Sequence, residues 1–252
     1  MKKILLVATM LAGALSAQAG VAISEATYGI INIPIIAGMN AVGINLLPMA
    51  GETNIVENII LTDGLTAAAE QGNADLLHIY NGTGYTTYWL DSNNDNPVWR
   101  GDVDSPAVAP GSAMWILAKS GGTVYQIGTV ASAKSTTIVL VNGNNFIANP
   151  FADELDLTTV DWHNVGAQDK FTSNKADLLR VYDGSALIPG YITYYYVESS
   201  KPAESESTGW YETMSQTKAP AIPAGEGFWF YRRNTGMTGN ITINNPFVTS
   251  AP

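Results

Sequence analysis

The sequence predicts an all-β protein: two tandem homologous β-sandwich or barrel-like domains from an internal duplication, with minor helical turns. Three observations carry this. Residues 74–82 (ADLLHIYNG) are answered by residues 176–184 (ADLLRVYDG), each followed by a tyrosine-rich run, YTTYW from Tyr85 and YITYY from Tyr191. Residues 107–117 (AVAPGSAMWIL) are answered by residues 221–231 (AIPAGEGFWFY). Short β-branched and aromatic runs alternate with Gly, Pro, Asn and Asp, the rhythm of a sandwich or barrel rather than of a helical bundle. The offset between matching residues is 102 at Asp75/Asp177, 106 at Tyr85/Tyr191, 111 at Trp99/Trp210 and 114 at Trp115/Trp229. Loop insertions between two copies produce such a drift, and a repeat this long fits a domain rather than a solenoid unit.

The elements follow in order. Residues 1–19 carry Lys2 and Lys3, an apolar stretch and a small-residue exit at Ala17-Gln18-Ala19. This reads as a cleaved secretory signal peptide whose apolar part is too short to span a bilayer. The first domain is then residues 20–130 and the second residues 131–252. The small polar segment 131–135 between them is too short for a free linker, so the copies should touch. Each copy opens on an apolar β-branched run, residues 28–36 and 136–141, suited to a buried strand. A turn with Gly and Asn follows, then a short strand ending in proline, residues 43–48 (GINLLP) and 146–150 (FIANP). In the variable stretch after it, residues 65–71 predict a helical turn or two, stopped by Gly72.

Two hairpins come next, residues 76–80 with 85–90 and residues 178–182 with 191–197. Asn81-Gly82 and Asp183-Gly184 close them and predict type I′ turns, in which both central residues have positive φ. Trp99 and Trp210 stand alone before the last hairpin. That hairpin has a Pro/Gly entry, a strand AMWIL or GFWFY, a Gly turn at Gly121-Gly122 or Gly236, and a final strand VYQIGTV or NITIN. Alternation sends Met114 and Ile116, like Phe228 and Phe230, to one face, and Trp115 and Trp229 to the other. Both faces are apolar, so this strand is expected to be central and covered on both sides.

Composition narrows the functions. The 252 residues include no cysteine, which excludes disulfides and thiolate metal sites. Lys and Arg number 12 against 22 Asp and Glu, for a formal charge of -10. Nucleic acid and anionic lipid need cationic neutralisation that this chain does not offer. No segment after the signal is apolar for long enough to be a transmembrane helix. The expected location is secreted, extracellular or at the cell surface of a Gram-negative bacterium.

The order of these motifs resembles a family of secreted β repeat proteins of unassigned function found in verrucomicrobial and related bacteria. The matching residues are Asn40 with Pro48, Asp75 with Asn81-Gly82, Trp99, and Gly111 with Trp115. In the second copy they are Asn144 with Pro150, Asp177 with Asp183-Gly184, Trp210, and Gly225 with Trp229. The resemblance implies a surface or extracellular role without catalysis, and supplies no site.

Candidate chemistry is sparse. The two histidines, His78 and His163, have no partner pattern of a triad or a zinc site and read as strand and loop residues. Asp75 and Asp177, like Glu52 and Glu154, admit a glycosidase reading with paired carboxyls, but recurrence in both copies favours acceptors of backbone N–H at a strand entry. Asp91, Asn93 and Asp95, with Asp102 further on, imitate the alternate oxygen ligands of a calcium loop. Against calcium, Asn96 replaces the glycine that loop needs, and a solvated Asn/Asp turn is the simpler reading. The aromatic strands are the best candidates for recognition. Tyr85, Tyr88, Trp89 and Trp99, with Tyr191, Tyr194, Tyr195 and Trp210, could form a platform for sugar rings if one face is exposed, and otherwise pair across strands to stabilise the sheet. Residues 28–36, with Pro34 suited to an edge, could donate a strand to a neighbour or form the first core strand of their own copy.

The sequence therefore predicts a non-enzymatic secreted or cell-surface structural and interaction protein, with a carbohydrate-binding module as the alternative. No cofactor is implied. Self-assembly, another envelope protein and glycans are the partners left open, and nucleic acid is excluded.

Overall fold

The computed structural model describes residues 26–93, 96–102, 105–165, 167, 176–198, 208–233 and 239–248. The signal segment, residues 1–19, lies outside them. Among the described residues the fold is all-β, and every strand pair is antiparallel.

The first half of the chain forms two sheets. β1 (Tyr28–Ile35), β8 (Gly122–Thr129) and the short β3 (Ile60–Leu61) lie in the order β1-β8-β3. β2 (Gly38–Gly43), β7 (Ala113–Ala118), β4 (Leu76–Tyr80), β5 (Tyr85–Asp91) and β6 (Val98–Arg100) lie in the order β2-β7-β4-β5-β6. In the second half β9 (Ser135–Leu140) pairs with β15 (Gly239–Asn244). β10 (Gly143–Ala148), β14 (Gly227–Arg232), β11 (Leu178–Asp183), β12 (Gly190–Val197) and β13 (Gly209–Glu212) lie in the order β10-β14-β11-β12-β13. The two five-stranded sheets thus share one connectivity.

Alternation along each strand decides what is buried. Ile33 and Ile35 of β1 and Val124 of β8 meet Val42, Leu77, Tyr88, Leu90, Trp99, Met114 and Ile116 of the larger sheet in one cluster. The second half repeats this with Ile241, Ile243 and Leu140 against Leu179, Tyr194, Tyr196, Trp210, Phe228 and Phe230. Trp162, in a single helical turn (Trp162–Val165), adds its ring against Trp210 and Phe230. β7 and β14 are central strands covered on both faces, as alternation predicts.

Several expectations are corrected. The second strand of each half lies earlier than residues 43–48 and 146–150, at Gly38–Gly43 and Gly143–Ala148. The Gly/Asn stretch read as a turn is largely strand, because one asparagine side chain does the work of the turn. Asn40 Oδ1 accepts the Ile36 N–H at 2.9 Å, and its Nδ2 donates to the carbonyls of Ile36 and Gly38. Asn145, one residue beyond the Asn144 of the motif, makes the same set to Val141 and Gly143. The hairpins form with the expected partners, yet their turns are not type I′. Asn81 Oδ1 accepts the N–H groups of Thr83 and Gly84, and Asp183 Oδ1 those of Ser185 and Ala186, so the side chain closes a longer loop. Of these four residues Gly82 alone has positive φ, at 96°. Residues 65–70 are not helical; a single 3-10 turn forms instead at Gln71–Asn73. Residues 28–35 pair with β8 of their own chain, and β1 sits at a sheet edge where Pro34 costs no inner ladder.

Asp75 and Asp177 act as N–H acceptors. Asp75 takes the Thr66 N–H at 2.8 Å and the Lys119 N–H at 2.7 Å, and Asp177 takes the Arg233 N–H at 2.7 Å. Both are almost fully buried. Removing such an acceptor strands buried donors, so Asp75→Ala is expected to cost about 2–4 kcal/mol in a urea unfolding experiment. A loss below about 0.5 kcal/mol would show that water replaces the carboxylate.

Candidate functional site: an aromatic cleft between the large sheets

The outer faces of the two five-stranded sheets meet along β2 and β7 on one side and β10 and β14 on the other. Phe146 of β10 lies stacked between Trp115, ring centroids 5.0 Å apart, and Trp229, 4.5 Å apart. The contacts are reciprocal. Tyr182 of the second half meets Trp115 edge-on at 5.0 Å, and Tyr80 of the first meets Trp229 edge-on at 4.9 Å. Backbone ties follow the same rule, with Gly43 N–H donating to Gly225 O at 2.8 Å and Ala148 N–H to Gly111 O at 2.9 Å. Close approach needs small residues here. A Cβ at Gly227 would stand 2.7 Å from the Ala113 Cβ.

Asn45 bridges the halves from a buried position. Its Nδ2 donates to Asn149 O at 2.7 Å and Phe151 O at 3.0 Å, while its Oδ1 accepts the Gly225 N–H at 2.8 Å. Gln126, fully buried, supports it by accepting the Asn45 N–H at 3.1 Å.

Where the seam reaches the surface it opens into a cleft of about 310 Å³, lined by Met39, His78, Tyr85, Trp115, Tyr182 and Tyr191. Tyr85 begins β5 and Tyr191 is the second residue of β12, so the two hairpins present them at equivalent places, 49% and 48% exposed. The Trp115 indole N–H donates to the Tyr85 hydroxyl at 3.3 Å. Tyr191 is tied in the same way to Trp229, and burial raises the pKa of both phenols. Burial lowers the pKa of His78, whose Nδ1 lies 2.8 Å from Thr87 Oγ1, and so favours the neutral imidazole. The cleft lining is thus aromatic, ring faces below and phenol hydroxyls at the rim, with the Arg180 guanidinium near enough to act on Tyr191. It can stack on a flat apolar face and hydrogen-bond the edge of a neutral ring. Among the described residues no carboxyl lines it.

Of the eight aromatic candidates, Tyr85 and Tyr191 come together here. Tyr88, Trp99, Tyr194 and Trp210 point into the cores, Trp99 with no exposed surface, and none of the four joins the cleft between the sheets. Tyr195 is covered on the outer face by Tyr211 and Ala176. Trp89 is half-buried on β5, and its indole N–H is buried without a partner among the described residues. A platform built from all eight does not form. The sequence missed Trp115, Tyr182 and Met39 as cleft residues; alternation had placed Trp115 on the far face but not what covers it.

The calcium-like loop is otherwise engaged. Asp91 is buried; its Oδ1 accepts the Asn93 N–H at 2.9 Å and its Oδ2 pairs with Arg100. These partners hold its carboxyl below the usual range, the Asn93 N–H contributing most. Asp95 lies outside the described residues, and among the described residues no three acidic or histidine side chains gather as a metal would require. His163 is exposed and faces Glu198 at 2.6 Å. Glu52 and Glu154 are exposed.

No family model, curated protein or solved structure matches the chain. Among the described residues, no helix is long and apolar enough to cross a membrane.

Proposed function

We propose that the chain is a non-enzymatic, secreted or cell-surface structural and interaction protein, built from one β-sandwich unit written twice, residues 20–130 and 131–252. The shared strand order of the two large sheets supports the duplication, as do the twin ties of Asn40 and Asn145 and of Asp75 and Asp177. The single observation that carries the functional reading is where the reactive side chains go. The recurring carboxylates and amides are spent on buried backbone groups, so their presence needs no catalytic explanation. The resemblance to secreted β repeat proteins agrees with this role.

A second reading, carbohydrate binding, is favoured by the convergence of Tyr85 and Tyr191 at the aromatic cleft. One experiment separates the two. The folded protein and its Tyr85→Ala/Tyr191→Ala variant are applied to a glycan array and, in parallel, to sedimentation over a range of concentrations. Assembly predicts a mass that rises with concentration and is unchanged in the variant. Sugar recognition predicts array binding that falls at least about tenfold in the variant. A monomer that binds no glycan would defeat both the assembly and the sugar reading.

A further inference from the structure

Along β14, Gly227 and Trp229 face the seam while Phe228 and Phe230 enter the core of the second half. One step earlier, Glu226 therefore falls on the core side. It stands in the wall of a cavity of about 300 Å³ whose other walls include Leu157, Val181, Ile192, Tyr194 and Pro223. Pro220 and Pro223 are exposed and form its mouth.

A carboxyl in such a place needs a reason, since burial without partners disfavours its charge. Among the described residues no hydrogen-bond donor meets it. Burial raises its pKa to about 7, and Asp183 adds to the rise. The geometry explains the second contribution. Val181 stands opposite Phe228 in the β11–β14 ladder, and two steps further the same register sets Asp183 opposite Glu226. Asp183 keeps its charge because the Ser185 hydroxyl, with the N–H groups of Ser185 and Ala186, holds its carboxyl below the usual range.

The first half shows that the fold does not demand these acids. There Ile79 stands opposite Met114, so the corresponding pair is Asn81 and Ser112, both neutral. The Ser112 hydroxyl donates to Ala109 O at 2.6 Å and leaves nothing to serve. Among the described residues, the second half combines an apolar cavity with a carboxyl that meets no hydrogen-bond donor, and no cation lines that cavity.

We propose that this cavity binds a small apolar organic cation, a primary alkyl- or arylammonium, with its ammonium against the Glu226 carboxylate and its hydrocarbon body between Val181, Ile192 and Pro223. Tyr194 places a phenol on the same wall as a further hydrogen-bonding group. The ammonium pairs with ionised Glu226, so binding below neutrality releases a proton, and affinity falls about tenfold for each pH unit below about 7. The other titratable groups facing this carboxyl are Asp183 on β11, already ionised, and Tyr194 on β12, whose pKa is raised by burial, then by Glu212 and by Glu226 itself. Leu157 and the segment 219–223 bring none.

The test is a titration of the folded protein with benzylamine, and with benzyl alcohol as the neutral isostere, read by calorimetry and by the methyl NMR signals of Val181 and Ile192. Benzylamine should saturate at about pH 7.5, shift those signals, and bind at least about tenfold more weakly at pH 5.5. Glu226→Gln should lose at least about tenfold in benzylamine affinity and leave benzyl alcohol unchanged. Glu226→Ser, which copies the first half, serves the same purpose if the glutamine variant misfolds. Equal binding of amine and alcohol by the unaltered protein, unchanged amine binding by both variants, or silent cavity methyls would each overturn the proposal.

Discussion

Phe146→Ala is expected to lower the unfolding free energy by about 3–5 kcal/mol, the loss typical of a large ring removed from a packed interior. Phe146 is 8% exposed and is gripped on both faces, by Trp115 of the first half and Trp229 of its own. Its removal would leave a void at the centre of the seam and unstack both indoles. Urea unfolding followed by tryptophan fluorescence measures the effect, and Phe146→Leu should recover part of it. A loss below about 1 kcal/mol would mean that the two outer faces do not depend on this ring.

Glu226→Gln should stabilise the protein, increasingly as pH rises from about 4.5 to about 7. The carboxyl loses its proton near 4.5 in the unfolded chain and near 7 in the folded one. Below about pH 4 both forms are protonated and the substitution changes little. Between the two values the unfolded chain releases a proton that the folded chain retains, so stability falls as pH rises. Above about pH 7 both forms are ionised and the whole penalty is present, about 3 kcal/mol, which the glutamine variant escapes. The check is a pair of stability profiles from about pH 4 to about pH 8. Parallel curves would show that the carboxyl is solvated.

What was legible in the sequence followed the range of the interactions. The hairpins at Asn81-Gly82 and Asp183-Gly184 and the two faces of β7 and β14 depend on neighbours along the chain or on strand alternation, and residue order exposes them. The second strand of each half was misplaced because Asn40 and Asn145 use their amides to fold the backbone tightly, and no propensity scale anticipates a side chain standing in for a turn. Turn type failed for the same reason, with Asn81 and Asp183 bonding forward to the next N–H groups. Of the cleft, its two half-exposed tyrosines were legible as strand aromatics. Which aromatics stay exposed was not, because the covers are remote: Trp210 lies under Trp162 and Phe230, and Tyr195 against Tyr211. Glu226 did carry a signal, an acid one step before an alternating GFWFY strand and in phase with its buried rings.

Asn45 and Gly225 are joined across 180 residues, and Asn45 also reaches Asn149 across 104. Chain synthesis delivers the N-terminal portion first, and its Trp115 surface must then wait, wet and sticky, for a late arrival. Docking of the two halves is therefore expected to be late in folding, and the interval before it is when exposed aromatic surface would favour aggregation.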